Sequence, residues 1–424
     1  MSRPAGDYPA QIARSTNDTR PAEATGPMSA YRPFTASTLI AYLATLPSVK
    51  SRLGGEAIDW TAREVSDGNL NTVFIVSGLS GSVCCKQSLP YVRVDPAWAM
   101  PLERTLFEAR WMQAVSPAIG HQIPELYHLD EGLFLIVMEN LATHHVLRHA
   151  LITGIAPAGF AARIGEFVGH AGYATSWRAL PFEDVHAIRD LFSRNLALTR
   201  ITVDLVLTDP YRSECSRNRW ISPDLDDLVT ALQEDGTLHS AVERLQERFL
   251  ANSQSLLHGD LHTGSVMISG DDVRIIDGEF ALYGPIGFDL GMFLANLVMN
   301  AYAQPEHEDW MRDEIALFWS SFRHAYLERW ETGTGRGDMG SLTGSAASAA
   351  ERKRFLQQVM HDSAGFAGLE LVRRTIGFAQ VADYEAARDR ESEIEARRRA
   401  LITGRSLIQK AFQIDTIEAL LEHI

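Results

Sequence analysis

Leu256-Leu-His-Gly-Asp-Leu-His-Thr-Gly-Ser265, followed by Arg274-Ile-Ile-Asp-Gly-Glu-Phe280, is the stretch whose reading decides the fold. A short apolar approach, Leu256 and Leu257, ends at His258-Gly259-Asp260, where glycine lets the backbone turn sharply and present an aspartate. Further on, Val273-Arg-Ile-Ile276 carries the β-branched signal of a strand, which delivers Asp277 and Glu279 to its exposed end. Positions i and i+2 of a strand point the same way. Asp260, Asp277 and Glu279 are therefore expected to form a cluster of three carboxylates. Such a cluster repels itself unless positive charge lies within it, and a hard divalent ion with oxygen ligands, Mg²⁺ carried by a nucleotide, is the simplest solution.

An aspartate on a turn followed by a metal-binding aspartate after a strand is the layout of phosphoryl transfer in protein kinases. An isolated His-Gly-Asp reads equally well as a helix cap beside an exposed acidic turn. The whole string is more specific. It resembles the HGDxHxGN loop of aminoglycoside phosphotransferases and choline kinases, with two departures: Ser265 stands in place of Asn, and Asp277-Gly-Glu279 in place of Asp-Phe-Gly. Both departures, together with Phe280-Ala-Leu-Tyr-Gly-Pro-Ile-Gly-Phe-Asp289, resemble the 5-methylthioribose kinase family.

The bulk of the chain is compatible with this. Its 424 residues suffice for two or three lobes and a large core, and 46% hydrophobic and 22% charged residues are ordinary for a soluble globular protein. No apolar run approaches the ~20 residues that span a bilayer, and the N-terminus lacks a signal-peptide core. Three cysteines, two of them adjacent (Cys84, Cys85, Cys215), make no disulfide framework and suggest a reducing cytoplasm. A net charge of −15 argues against a nucleic-acid surface. It does not argue against ATP, which a few local cations and backbone N–H groups can hold.

Taken in order, residues 1–27 are rich in Pro, Ala, Ser and Thr without periodicity and read as a disordered tail, with Met28 as an alternative start. Thr38 to Leu46 is apolar at helical spacing and is expected to close at Pro47. Glu64 to Val76 reads strand, polar turn, strand; its Asp-Gly-Asn-Leu-Asn turn resembles the family's, which would lay Asp67, Gly68, Asn69 and Asn71 over the nucleotide phosphates. In Ser82-Val-Cys-Cys-Lys-Gln87 the two-residue period puts Cys84 and Lys86 on one face. A lysine ending an apolar strand is most often a snorkelling surface residue. Lys-Gln-Ser-Leu-Pro-Tyr-Val resembles the family's run here, which implies that Lys86 binds the α and β phosphates and that Glu108 holds it. Glu108 could instead pair with Arg104 at i,i+4. Leu133 to Leu141 is an apolar strand ending at Glu139-Asn140-Leu141, which by position in the kinase layout is the hinge that pairs with adenine.

Beyond residue 141 the composition turns helical: His144 to Leu151, Phe160 to Tyr173, Ile188 to Leu196 and Leu225 to Glu247. Arg200 to Arg212 matches a family segment and is assigned structural duty. Asp289 is read as the N-cap of a buried helix, although an equivalent Asp braces the catalytic loop in kinase-like folds. Glu331 to Ala350 is a Gly/Ser/Thr/Ala-rich linker. Gly365 to Asp383 is almost continuously apolar, with Arg373 and Arg374 in its middle. Arginines are rarely buried unpaired; Glu370 and Asp383 are the plain partners, while the resemblance implies that both arginines reach the substrate.

The resemblance implies an α+β, bilobal, protein-kinase-like fold: a small antiparallel β N-lobe (28–140), a large helical C-lobe (141–424), and ATP between them. It further implies transfer of the ATP γ-phosphoryl group to the C1 hydroxyl of 5-methylthioribose in methionine salvage by a cytoplasmic homodimer. Asp260 would accept or orient the hydroxyl proton, and Asp277 and Glu279 would hold Mg²⁺. Glu279 would take over the coordination that Ser265 cannot provide. The competing readings are a kinase of another 5-substituted ribose such as 5-deoxyribose, an aminoglycoside phosphotransferase, whose polycationic substrate is at odds with Arg373 and Arg374, and a catalytically silent module, which the intact Asp260, Asp277, Glu279 and Lys86 oppose.

Overall fold

Thr35 sets the first described helix, Ala36–Leu43, through a capping box: its hydroxyl accepts from the Thr38 N–H at 3.3 Å while the Thr38 hydroxyl accepts from the Thr35 N–H at 2.9 Å. A second helix follows, Pro47–Leu53, so Pro47 opens a helix instead of closing one. Proline has no N–H to lose at the first helical position, which makes it a starter as readily as a stop. The computed structural model describes residues 31–65, 70–93, 95–333, 337 and 345–424. The expected tail, the Met28 start and most of the Asp67-Gly68-Asn69 turn's neighbourhood, including those three residues, lie outside the described residues.

The chain divides into two compact units. The first runs to His144 and takes in Arg274–Ala281; the second holds His145–Val273 and Leu282–Ile424. The expected N-lobe boundary near residue 141 is thus four residues short, and Asp277 and Glu279, assigned from sequence to the helical part, belong to the small unit.

In the first unit an antiparallel sheet runs in the order Thr61–Val65, Asn71–Ser77, Ser82–Ser88, Leu135–Glu139, Leu126–Asp130. The central strand alternates: Val83 and Cys85 enter a core with Phe74, Val76, Leu135 and Val137, onto which Leu39, Leu43, Val49 and Leu53 of the two helices pack. Cys84 and Lys86 take the other face. The helix Arg104–Ile119 lies against the Gly278–Phe280 turn.

The second unit is helical. Gly287–Ala303 is buried along its whole length and packs on Ser345–Ile376 and Arg390–Lys410. Phe249, Phe288 and Phe366 form an aromatic cluster in this core, with centroids 4.9–6.4 Å apart. The expected single helix 225–247 is two, Asp226–Gln233 and Gly236–Ala251, because Asp235 caps the second by accepting from Thr237 and Leu238 N–H. The expected 331–350 linker is helical from Ser345 onward. Among the described residues no helix is long and apolar enough to cross a membrane.

Candidate active site

In the first unit, Lys86 is 5% exposed and its ammonium lies 2.7 Å from Glu108 Oε2, with Asp277 Oδ1 as a second, short contact. Burial would push Lys86 down, but Asp277, Glu108 and Glu279 hold it charged, well above its ordinary value. Burial raises Glu108 and Glu279, against the field of Lys86. One ligand oxygen from each of Glu108, Asp277 and Glu279 lies within 4.8 Å of the others. The carboxylates do not reach this position by strand alternation. The strand is Asp272–Ile275; Asp277 adopts a left-handed conformation, φ +73°, and Glu279 sits in the short turn Gly278–Phe280. Gly278 between them is required sterically: a Cβ there would lie 2.3 Å from Trp111 Cε3.

Arg104 turns away from Glu108. Fully buried, it donates to the carbonyls of Pro101, Leu70 and Leu89 and lies 3.5 Å from Glu279. Asn71 is 4% exposed and donates to Glu279 Oε2 at 3.0 Å, so it orients that carboxylate instead of lying on an open turn. Glu139 accepts from Arg274 Nη1 at 3.1 Å and from the Glu125 N–H, and its own N–H is committed to Glu125 O. Asn140 donates to Ser82 Oγ, and Leu141 is buried. Of the three residues expected to form the hinge, the first two use their side chains to brace the strand end.

The second unit holds the His258–Ser265 loop. Asp289 is not a helix cap. The cap position of Gly287–Ala303 is Ile286, and both Asp289 oxygens accept loop N–H groups, His258 at 2.7 Å and Gly259 at 2.9 Å. Ser265 is also structural: its hydroxyl accepts from the His262 N–H and donates to the Asp260 and His262 carbonyls. Burial raises the Asp260 carboxyl, but His262, Arg374 and Arg373 outweigh burial and hold it well below the usual carboxylate range.

The twin arginines sit at the end of Ser345–Ile376, 7% and 6% exposed. Glu370, fully buried, bonds both, at 3.0 Å to Arg373 Nη1 and 2.5 Å to Arg374 Nε. Arg374 also lies 3.7 Å from Asp260 Oδ1. Asp383 pairs instead with Arg148 at 2.9 Å, from a turn (Ala382–Ala386) beyond the helix. Two guanidinia against Glu370 leave one net positive charge beside Asp260.

Known proteins are similar to this chain over most of its length. Residues 61–339 match the phosphotransferase enzyme family. Methylthioribose kinase 2 of Oryza sativa is 33% identical, the alignment covering 93% of this chain and 96% of the relative. Methylthioribose kinases of Escherichia coli and Geobacillus thermodenitrificans are 34% and 36% identical, over 93% and 92% of this chain and 97% and 96% of theirs. The chain belongs to the methylthioribose kinase family.

Within that family frame, the structure gives Asn71, Arg104 and Arg148 partners that local sequence does not announce, and of the two plain partners offered to Arg373 and Arg374 it selects Glu370 over Asp383. Arg104 and Asn71 fix Glu279; Glu370 fixes Arg373 and Arg374; Arg148 bonds Asp383, Thr263 Oγ1 at 3.2 Å and Asn296 Oδ1 at 2.8 Å. The available signal was a charged residue inside an apolar run, as in Leu147-Arg-His-Ala-Leu151.

Proposed function

We propose that this chain moves the γ-phosphoryl group of ATP to the C1 hydroxyl of 5-methylthioribose, giving 5-methylthioribose 1-phosphate and ADP. What carries the substrate assignment is the 33–36% identity to methylthioribose kinases over 92–93% of the chain. In the reaction the C1 oxygen bonds the γ-phosphorus, the bond to the β–γ bridging oxygen breaks, and the hydroxyl proton passes to Asp260. A carboxyl held so acidic is a weak base for a resting alcohol. Its main work is to orient the hydroxyl, the proton moving late, which suits a loose, metaphosphate-like transition state. Lys86, kept charged by its carboxylates, positions the phosphates, aided by Asp67, Gly68 and Asn69, while the backbone at Leu141 pairs with the adenine edge. The donor set of Asp277 and Glu279 is all oxygen and anionic, which fits Mg²⁺; that ion would offset charge on the nucleotide. Arg373 and Arg374 hold substrate hydroxyls and charge building on the transferred group.

ADP release measured with methylthioribose, 5-deoxyribose and kanamycin tests this. The expected result is kcat/KM at least about tenfold higher for methylthioribose than for 5-deoxyribose, the scale of one well-filled apolar subsite, and no turnover of kanamycin. Turnover of kanamycin, or none of methylthioribose, overturns it.

A further inference from the structure

We infer that His262 is a positioning residue of the catalytic loop: locked as the neutral Nε2–H tautomer, it directs an N–H at Asp260 and fixes the orientation of that carboxylate. The inference rests on Asp260 as the group that handles the acceptor hydroxyl.

The tautomer follows from donor bookkeeping. His262 Nδ1 lies 2.9 Å from Gly264 N and 3.1 Å from Ser265 N, and both backbone groups donate to it. Backbone N–H groups cannot accept, so Nδ1 carries a lone pair and the ring proton is on Nε2. Ser265 returns the favour through its hydroxyl, closing a capping box around the Thr263–Ser265 turn. The box admits no side chain at position 264, where a Cβ would lie 2.8 Å from His262 Cε1 and 2.9 Å from Arg148 Nη1. On the far side of the ring, Nε2 lies 3.5 Å from Asp260 Oδ2, while Arg374 faces Oδ1 at 3.7 Å. The two carboxylate oxygens therefore have separate neighbours. Catalytic contacts of this length commonly tighten when substrate binds.

The charged groups facing the ring are Asp260 from its own loop, Arg148 from the helix Leu147–Ile152 and Arg374 from Ser345–Ile376. Burial, with the two guanidinia, opposes a second ring proton and outweighs Asp260, so the imidazole sits below its ordinary value. Acidification that forces the proton onto Nδ1 must break both loop N–H bonds. Activity then falls on the acid side, below the ordinary histidine pKa of about 6.5, through His262 and not through Asp260, whose carboxyl stays ionised.

Two isosteres separate the functions of the ring. His262→Asn keeps an acceptor where Nδ1 was and loses the donor; His262→Gln keeps a donor where Nε2 was and loses the cap. For His262→Asn we expect a melting temperature close to wild type, kcat lowered by at least about tenfold through lost orientation, and loss of the acid limb that the wild-type protein shows. His262→Gln should melt lower and retain more turnover than Asn at a temperature where both are folded. Histidine-selective ¹⁵N NMR of the unmodified, substrate-free protein should show His262 as the Nε2–H tautomer at pH 7. A Nδ1–H tautomer or an imidazolium at that pH overturns the inference. So does wild-type kcat, or an unmoved acid limb, in His262→Asn while Asp260→Asn is inactive. Retained turnover in Asp260→Asn instead overturns the assignment of Asp260 on which the inference rests.

Discussion

Replacing Asp289 with Ala strips the catalytic loop of the carboxylate that accepts the His258 and Gly259 N–H groups at 2.7 and 2.9 Å. Asp289 is 4% exposed, so water does not readily take its place. A buried donor left without a partner costs about 1–3 kcal/mol, and two such donors cost about 2–6 kcal/mol. At about 2–4 °C per kcal/mol for domains of 150–250 residues, the melting temperature should fall by roughly 4–24 °C. Asp289→Asn keeps one acceptor and should lose about half as much. Catalysis should suffer as well, because the bonded N–H groups flank Asp260, and a displacement of about 1 Å at the reacting group costs about a hundredfold. ATP affinity should be unchanged, since the proposed nucleotide ligands Lys86, Asp277 and Glu279 belong to the other unit. The measurements are thermal melts, nucleotide titrations, and kcat well below the lowered melting point. A helix cap would predict a loss of only ~1 kcal/mol and untouched kinetics. Wild-type kcat in the folded Asp289→Ala protein would refute the bracing role.

Three further predictions follow from the same geometry. Lys86→Met leaves Glu108, Asp277 and Glu279 without their shared cation; we expect a loss of about 3–5 kcal/mol, the usual cost of breaking a buried pair, and sharply weaker ATP binding by calorimetry, and unchanged ATP affinity would contradict the phosphate assignment. Arg373→Lys and Arg374→Lys keep charge but lose the planar fork; kcat/KM for the sugar should drop by roughly one to three orders of magnitude with ATP affinity intact, whereas a purely structural pair would move only the melting temperature. Asp260 has a folded-state pKa below its unfolded value, so it stabilises the fold above about pH 4 and that contribution disappears as pH falls through the folded pKa; denaturant melts should therefore find Asp260→Asn less stable than wild type at pH 7, with the gap closing under acid. A gap independent of pH would contradict the lowering of the Asp260 carboxyl by His262, Arg374 and Arg373.

How much of this was legible in the sequence depended on whether the determinant was local. The His258-Gly259-Asp260 turn, the strand carrying Lys86 and the antiparallel small sheet are local patterns, and Cys85 enters the core while Cys84 shares the face of Lys86, as a two-residue period requires. The α+β class came from the family resemblance of the motifs, and the change from strand-like to helical composition near residue 141 gave the lobe boundary. What local pattern could not give was pairing across long separations. Asn71 and Glu279 are 208 residues apart, Arg148 and Asn296 148 apart. Asp277 was misplaced on a strand because the strand ends at Ile275 and Asp277 takes a left-handed backbone, uncommon for non-glycine residues, which a two-residue strand period cannot foresee. Pro47 and Asp289 were read by their commonest roles, a helix stop and a helix cap. In each case tertiary context selected the other role, since a starter proline needs only a free first position and Asp289, the third residue of its helix, has both carboxylate oxygens on the loop N–H groups.

The most direct test of the central claim is to follow [1-¹³C]5-methylthioribose with ATP and Mg²⁺ by ¹³C and ³¹P NMR. The account predicts that the C1 resonance becomes a phosphorus-coupled doublet as one equivalent of ADP appears, and that Asp260→Asn leaves it a singlet. A C1 singlet persisting while the active enzyme forms ADP would contradict it.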